Sequence, residues 1–243
     1  THTRTRTHAQ THSFWFPPTM PTPPVPISPT RLRCDLHGCS SGREESAPPL
    51  VIPVLASLLE RAVARNERLG GGHDPGGPAA PARAFDSHRV PDMPIQPFLE
   101  RVFRYTAAGP SVYVVAYVYV DRVCRLNPGL RVTRWNAHRL LLTAVMVASK
   151  FLEDLNYRNS HFAEVGGLPT GDLNRLEVEL LFLMGFKLRV SVSVFESYCR
   201  HLEREVSAGG GYQVERALRF VCSGEITHDE RGRTELNQST PIL

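Results

Sequence analysis

Two charged residues lie where the hydrophobic pattern of the chain otherwise calls for apolar side chains. Lys150 ends the mostly apolar run VMVASK, and Glu177 falls within the leucine stripe of LNRLEVELLFLMG. A charge among apolar side chains is costly unless a partner group satisfies it. The two residues could form an internal ion pair with each other or with an arginine, or they could supply polar contacts on a docking surface. The pattern alone leaves both alternatives open.

The other residues with chemical potential do not form a site. Cys34, His37 and Cys39 have a spacing that suggests metal ligation, but zinc needs four ligands and no second Cys/His pair follows nearby. The spacing of nucleophile, base and orienting group needed for catalysis is not evident, and GGGHDPGG lacks the lysine and hydroxyl of a phosphate-binding loop. We therefore expect a protein that is not an enzyme, with no metal, cofactor or small-molecule substrate.

The composition of the chain indicates which compartment and which binding partners to expect. The odd count of five cysteines argues against a disulfide framework and favours a reducing compartment, the nucleus or the cytoplasm. The longest apolar runs are about half the length of a membrane span, so we expect no membrane association. The net charge is only +4, and the acids Glu100 and Asp121 interrupt the arginines that could follow a nucleic-acid backbone. Those arginines are Arg101, Arg104, Arg122, Arg125, Arg131 and Arg134.

Changes in composition divide the chain into six parts. The first is Pro-rich and expected to be disordered. It opens with THTRTRTH, an alternation from which residues 1–19 are interpreted as translated upstream sequence. In order, the parts are a disordered tail (1–48), a flanking helix (49–69), a Gly/Pro-rich linker (70–94), the main domain (95–190), a C-terminal helical extension (191–226) and a polar tail (227–243).

The main domain is predicted to be all-α. The run RWNAHRLLLTAVMVASKFLED is apolar on every side in its middle, as expected of a helix surrounded by other helices. The Val- and Tyr-rich run SVYVVAYVYV has strand propensity. We expect a helix there because its neighbours are helical and no partner strand is evident.

Several motifs in order resemble a known family. Three runs resemble the cyclin box in order and spacing: YVDRV, ASKFLED and RLEVELLFLMGFKL. Three further runs are similar to the plant P-type (U-type) cyclins: IQPFLERVF, NAHRLLLTAVMVASKF and FAEVGGL. That subfamily is itself similar to the yeast phosphate-pathway cyclin. The resemblance covers roughly residues 49–207 without the linker. It implies a single five-helix cyclin box with flanking N- and C-terminal helices and disordered tails.

The resemblance also implies a function. A protein of this family would be the regulatory subunit that binds and activates a cyclin-dependent protein kinase as a heterodimer, in cell-cycle or nutrient (phosphate) signalling. The positions that match family kinase contacts are Lys150, Phe151, Glu177, Leu181, Phe186 and Leu188. The substrate-docking patch of mitotic cyclins is missing from IQPFLERVF. The alternatives are a cyclin-fold scaffold that does not activate a kinase, and a transcription-associated module that contacts DNA.

Overall fold

The computed structural model describes residues 27–38, 47–69, 81–154 and 157–207, and the regular structure in these ranges is helical. This confirms the predicted all-α class. The helices are α1 (Pro29–Leu36), α2 (Val51–Arg68), α3 (Ile95–Thr106), α4 (Pro110–Leu126), α5 (Ala137–Leu152), α6 (Asn159–Gly166), α7 (Thr170–Leu183) and α8 (Val192–Ser207), with a short 3-10 helix at Pro81–Phe85. Helices α3 to α7 are the five helices expected for the main domain.

Helix α5 lies at the centre of the fold. It packs against α3, α4, α6 and α7, and its residues from Leu140 to Ser149 are all buried. Helix α6 crosses α5 so closely that a Cβ at Gly166 would lie 2.2 Å from Cδ2 of Leu142. A larger residue at position 166 would therefore displace the fully buried Leu142 side chain and disturb the packing of the core.

The Val- and Tyr-rich segment forms α4, as predicted. Pro110 occupies the first turn, where its missing N–H costs no hydrogen bond. Tyr113, Tyr117 and Tyr119 are almost completely buried among the neighbouring helices. Burial against α5 and α8 therefore outweighs the strand propensity of this sequence.

The C-terminal helix α8 holds the N-terminal helices to the rest of the chain. It packs against α1, α2 and α4. Arg33 of α1 pairs with Glu203 at 2.5 Å, and Arg61 of α2 pairs with Glu205 at 2.6 Å. The N-terminal and C-terminal helices thus share one core with the five-helix domain.

The expectation of a disordered tail over residues 1–48 is wrong for residues 27–38. Ser28 caps α1, Pro29 begins its first turn, and Leu32 and Leu36 are buried against the core. The composition suggested disorder because proline usually breaks helices, but at the first helical position it favours one. Residues 1–26 and 39–46 lie outside the described ranges.

The expectation of a linker over residues 70–94 is also wrong from residue 81 onward. Phe85 is fully buried, and the backbone N–H and hydroxyl of Ser87 donate to the carbonyl of Trp135 at 2.8 and 2.7 Å. Residues 70–80, the predicted helical extension after Ser207 and the polar tail lie outside the described ranges. In the part of the chain that is described, no helix is both long and apolar enough to cross a membrane.

Candidate functional site

Lys150 and Glu177 are in direct contact. Lys150 lies in the last turn of α5 and Glu177 in the middle of α7, and Nζ lies 2.6 Å from Oε1. Oε2 of Glu177 accepts a second hydrogen bond from Nδ2 of Asn159, also at 2.6 Å. The internal ion pair that the sequence left as one alternative is therefore formed.

The pair is not sealed inside the protein. The Lys150 side chain is 31% exposed and that of Glu177 18% exposed. A salt bridge at the surface contributes little to stability, typically about 0–1 kcal/mol. The internal contact therefore orients two charges at the surface and leaves them able to meet a partner.

Large exposed aromatic side chains lie near the C-terminal ends of the two helices that carry this pair. Phe151 follows Lys150 and is 49% exposed. Phe182 in the last turn of α7 is 65% exposed, and Phe186 in the turn after α7 is 58% exposed. The rings of Phe182 and Phe186 contact each other edge to face, with centroids 5.2 Å apart. We call Phe151, Phe182 and Phe186, together with the Lys150–Glu177 pair, the aromatic face. Exposed aromatic side chains are typical of protein-binding surfaces.

The turn after α7 determines where Phe186 points. Gly185 and Phe186 both have left-handed backbone angles, with φ of +57° and +59°. The Phe186 N–H donates to the Leu181 carbonyl at 2.8 Å, which closes the helix. A left-handed conformation is unfavourable for a bulky residue such as phenylalanine, so its presence here marks a backbone held by its surroundings.

Helix α4 anchors the segment that follows this turn. The Tyr119 hydroxyl donates to the Leu188 carbonyl at 2.8 Å. The Arg122 guanidinium donates to the carbonyls of Lys187 and Arg189. Burial raises the pKa of Tyr119 to about 12, so this hydroxyl keeps its proton at neutral pH. The backbone beside the aromatic face is therefore fixed before any partner binds.

An apolar cavity of about 210 Å³ opens beside Phe151. It lies between the start of α4, the end of α5 and the start of α8. Its lining residues are Ser111, Val115, Phe151, Leu152, Leu188, Val190, Val192 and Phe195. A cavity of this size can accept one aliphatic side chain of a partner.

The structure brings most of the predicted contact residues into two groups. Lys150 and Glu177 form the pair, and Phe151 and Leu188 line the cavity. Phe186 is exposed, whereas Leu181 is half-buried against the core. All six positions thus lie on or beside α5 and the end of α7.

Sequence reasoning missed three residues of this region. Asn159 holds Glu177, and Val178 and Phe182 form an exposed apolar pair one helical turn apart on α7. The sequence signal for Val178 and Phe182 was the run VELLFLMG, which carries apolar residues on more sides of the helix than one buried stripe requires. Asn159 gave no such signal, because its role depends on how α6 approaches α7.

Three of the arginines considered for nucleic-acid binding contact other parts of the chain. Arg125 pairs with the buried Asp121 at 2.7 Å, and Arg134 pairs with Glu67 at 2.7 Å. Arg122 binds the carbonyls after α7, as described above. These contacts favour a structural role for the three residues.

Within the described ranges, no group of three or more His, Cys, Asp or Glu side chains is placed to hold a metal ion. Cys34 and His37 lie in or beside α1, and Cys39 lies outside these ranges. Cys34, Cys124 and Cys199 are free thiols. Burial raises the pKa of both Cys124 and Cys199 to about 12, so these two thiols are protonated and unreactive.

Comparison with known proteins identifies close relatives. The sequence profile of the family described as Cyclin matches residues 50–188. The chain is 61% identical to Cyclin-U2-1 of Arabidopsis thaliana over 82% of this chain and 88% of the relative. It is 61% identical to Cyclin-U2-2 of the same plant, over 82% of this chain and 86% of the relative. It is 56% identical to Cyclin-P2-1 of Oryza sativa subsp. japonica, over 83% of this chain and 95% of the relative.

Proposed function

Because this chain belongs to the cyclin family, a family of regulatory proteins, we propose that it binds and activates a cyclin-dependent protein kinase as its heterodimeric regulatory subunit. The observation that carries the proposal is the aromatic face. It combines a fixed pair of opposite charges with exposed rings and an adjacent apolar cavity.

A helix of the partner kinase fits this combination of groups. Its apolar side chains would cover Phe151 and enter the cavity beside it, while Lys150 and Glu177 would bond polar groups of the partner backbone. Aromatic anchors at the centre of an interface carry most of its binding energy, and buried polar contacts set the register.

The proposed mechanism is a shift in the conformational population of the kinase. A kinase is active when its mobile regulatory helix is swung in, which assembles its own Lys–Glu pair and its magnesium site. A partner that binds only this conformation stabilises it. Converting a kinase from 1% to 99% active requires about 5.5 kcal/mol of preferential binding. A protein interface of standard size can supply this.

The rigidity of the site supports this mechanism. Tyr119 and Arg122 fix the turn after α7, and Asn159 holds Glu177 in place. Because little of the binding free energy is then spent on ordering the cyclin, more of it is available to select the active kinase conformation.

We further propose that the complex works in cell-cycle or nutrient (phosphate) signalling, in the nucleus or the cytoplasm. The resemblance to P-type cyclins supports a role in cell-cycle or phosphate signalling. The odd count of five cysteines, of which Cys34, Cys124 and Cys199 are free thiols, supports a reducing compartment.

The proposal can be tested by co-expressing the full chain with a cyclin-dependent kinase and measuring copurification and phosphate transfer to a generic substrate. We expect a one-to-one complex whose activity exceeds that of the kinase alone by up to about 100-fold, in line with the population shift above. Replacing Phe186 by Ala should weaken the complex by about 2 kcal/mol, roughly 30-fold.

The matched control is Tyr105→Ala. Tyr105 is a similarly exposed aromatic residue, but it lies on α3 and is not part of the aromatic face. Its removal should leave binding unchanged. A complex that forms without any rise in activity would indicate a scaffold instead. Equal binding by wild type and Phe186→Ala would contradict the proposed surface.

A further inference from the structure

Helix α7 carries apolar side chains on two opposite sides. Leu173, Leu176 and Leu180 are buried against the core. Val178 and Phe182 are both more than half exposed. At about 100° per residue they fall roughly 150–170° around the helix from the buried leucines. A helix with a single core-facing stripe has polar residues at such positions, so the second apolar side indicates a surface that a partner covers.

The exposed apolar side of α7 continues into the turn after the helix. Val178, Phe182 and Phe186 follow one another at intervals of four residues, and the rings of Phe182 and Phe186 contact each other edge to face. We call these three residues the outer stripe. It shares the two phenylalanines with the aromatic face and extends that face along α7 through Val178. Because the two surfaces are continuous, a single partner can cover both.

Positive charge lies at the C-terminal end of the outer stripe. Lys187 and Arg189 come just after Phe186, and both are exposed. Neither side chain forms an ion pair or a hydrogen bond with another residue of the described ranges. Glu179 borders the stripe about one helical turn before this end. A partner that complements the two positive charges therefore needs a carboxylate opposite the end of the stripe.

We propose that the outer stripe selects which kinase the protein binds. It accepts a cyclin-dependent kinase that presents aliphatic side chains opposite Val178 and Phe182 and a carboxylate opposite Lys187 and Arg189. This inference rests on the proposed function, because it names the kind of kinase that the aromatic face accepts. A kinase with a charged side chain opposite Val178 or Phe182 is excluded, since that charge would lose its water without gaining a partner.

The Lys150–Glu177 pair does not supply this selectivity by itself. Its two charges are already paired with each other, and in the proposed complex they bond polar groups of the partner backbone. Every kinase carries the same backbone groups, so such contacts hold the partner in register without distinguishing one kinase from another. Side chains differ between kinases, and packing against the outer stripe makes those differences count in the binding free energy.

The test measures the affinity of the full chain for a panel of purified cyclin-dependent kinases that differ in the side chains beside their regulatory helix. We expect the wild type to prefer kinases with aliphatic and acidic groups there. Val178→Lys and Phe182→Lys should each weaken the preferred complex about tenfold or more, because each buries a charge among aliphatic side chains. Lys187→Glu should weaken it several-fold at about 50 mM salt and less at about 500 mM salt.

The matched control is Leu69→Lys. Leu69 is as exposed as Phe182, but it lies at the end of α2 and belongs neither to the outer stripe nor to the aromatic face. The same charge is therefore introduced at an exposed apolar position, and the affinity for the kinase should not change. All the replaced side chains are exposed, so each variant should keep the circular dichroism spectrum of the wild type.

Two results would overturn the outer stripe and leave the proposed function intact. One is wild-type affinity in both Val178→Lys and Phe182→Lys while Phe186→Ala still weakens the complex. The other is equal affinity of the wild type for kinases with and without the aliphatic and acidic groups. If the wild type binds no kinase of the panel, the proposed function itself fails, and the selectivity inferred from it fails as well.

Discussion

At the scale of single residues, Glu177 connects stability with the proposed binding. Its two carboxylate oxygens accept from Lys150 and Asn159, so the free protein already satisfies the charge. The two alternatives that the sequence left open are therefore not exclusive. An internal pair that keeps part of its surface exposed can also hold its two charges in position for a partner.

His201 of α8 is a second residue whose surroundings determine its behaviour. It is buried, and its ring stacks on that of Tyr117. Burial, together with the positive charges of Arg204 and Arg61, lowers the pKa of His201 to about 4. The imidazole is therefore neutral in the folded protein under conditions in which the unfolded chain already binds a proton.

We predict that this histidine makes the protein less stable in acid. Since its folded pKa of about 4 lies below the ordinary value of about 6.5, its contribution is complete above pH 6.5 and is lost as the pH falls toward 4. Between these two pH values, the free energy of unfolding should fall by up to about 1.4 kcal/mol for each unit by which the pH is lowered. Urea unfolding at pH 7.5, 6.5 and 5.5 measures it.

The variant His201→Phe should lose much of this slope, whereas His88→Gln, a change at an exposed histidine, should keep it. His138 adds a contribution of the same sign, because burial lowers its pKa as well. An unchanged slope in His201→Phe would show that the acid sensitivity arises elsewhere.

At the scale of the helices, the contact between α4 and α8 depends on one buried carboxylate. Asp121 is fully buried and accepts from the Tyr198 hydroxyl and from Arg125 at 2.7 Å. Buried charges of this kind contribute little when intact, but the loss of one partner leaves the other unsatisfied.

We predict that Asp121→Ala lowers the free energy of unfolding by about 3 kcal/mol, because the buried Tyr198 hydroxyl would lose its acceptor and Arg125 its charged partner. Asp172→Ala is the matched control. Asp172 forms an exposed pair with Arg175 within α7, so its loss should cost about 0.5 kcal/mol or less. Chemical denaturation of both variants gives the comparison, and similar losses would contradict the importance of burial.

The helices also show what the sequence could and could not predict. Helices α5 and α7 and the odd placement of Lys150 and Glu177 follow from periodicity, because a repeating apolar stripe is a local property. Helix α1 could not be predicted in this way, since its burial comes from α8, about 170 residues later in the chain. The contact between the two charges likewise depends on how α5 crosses α7, which local patterns do not determine.

At the scale of the whole molecule, the flanking helices complete the core of the five-helix domain. Leu32 of α1, Leu59 of α2 and Leu202 of α8 are fully buried in the same cluster as α4 and α5. The composition suggested domain boundaries at residues 95 and 190. These boundaries would separate helices whose side chains pack in one core.

We predict that residues 95–190 do not fold alone, whereas residues 27–207 unfold in one cooperative transition. Without α2 and α8 the domain would expose Tyr117 and the charge of Asp121. Thermal unfolding followed by near- and far-ultraviolet circular dichroism compares the two fragments. A cooperative transition in the shorter fragment would show that the flanking helices are dispensable.

The central claim is that the Lys150–Glu177 pair on the aromatic face binds the kinase, and the affinity of Glu177→Ala for a cyclin-dependent kinase tests it most directly. The same measurement on Asp172→Ala, an exposed acid of the same helix, provides the control. We predict that Glu177→Ala weakens binding by about 2 kcal/mol, roughly 30-fold, while the variant remains folded and the control binds like wild type. Wild-type affinity in Glu177→Ala would contradict the claim and leave the pair with a structural role alone.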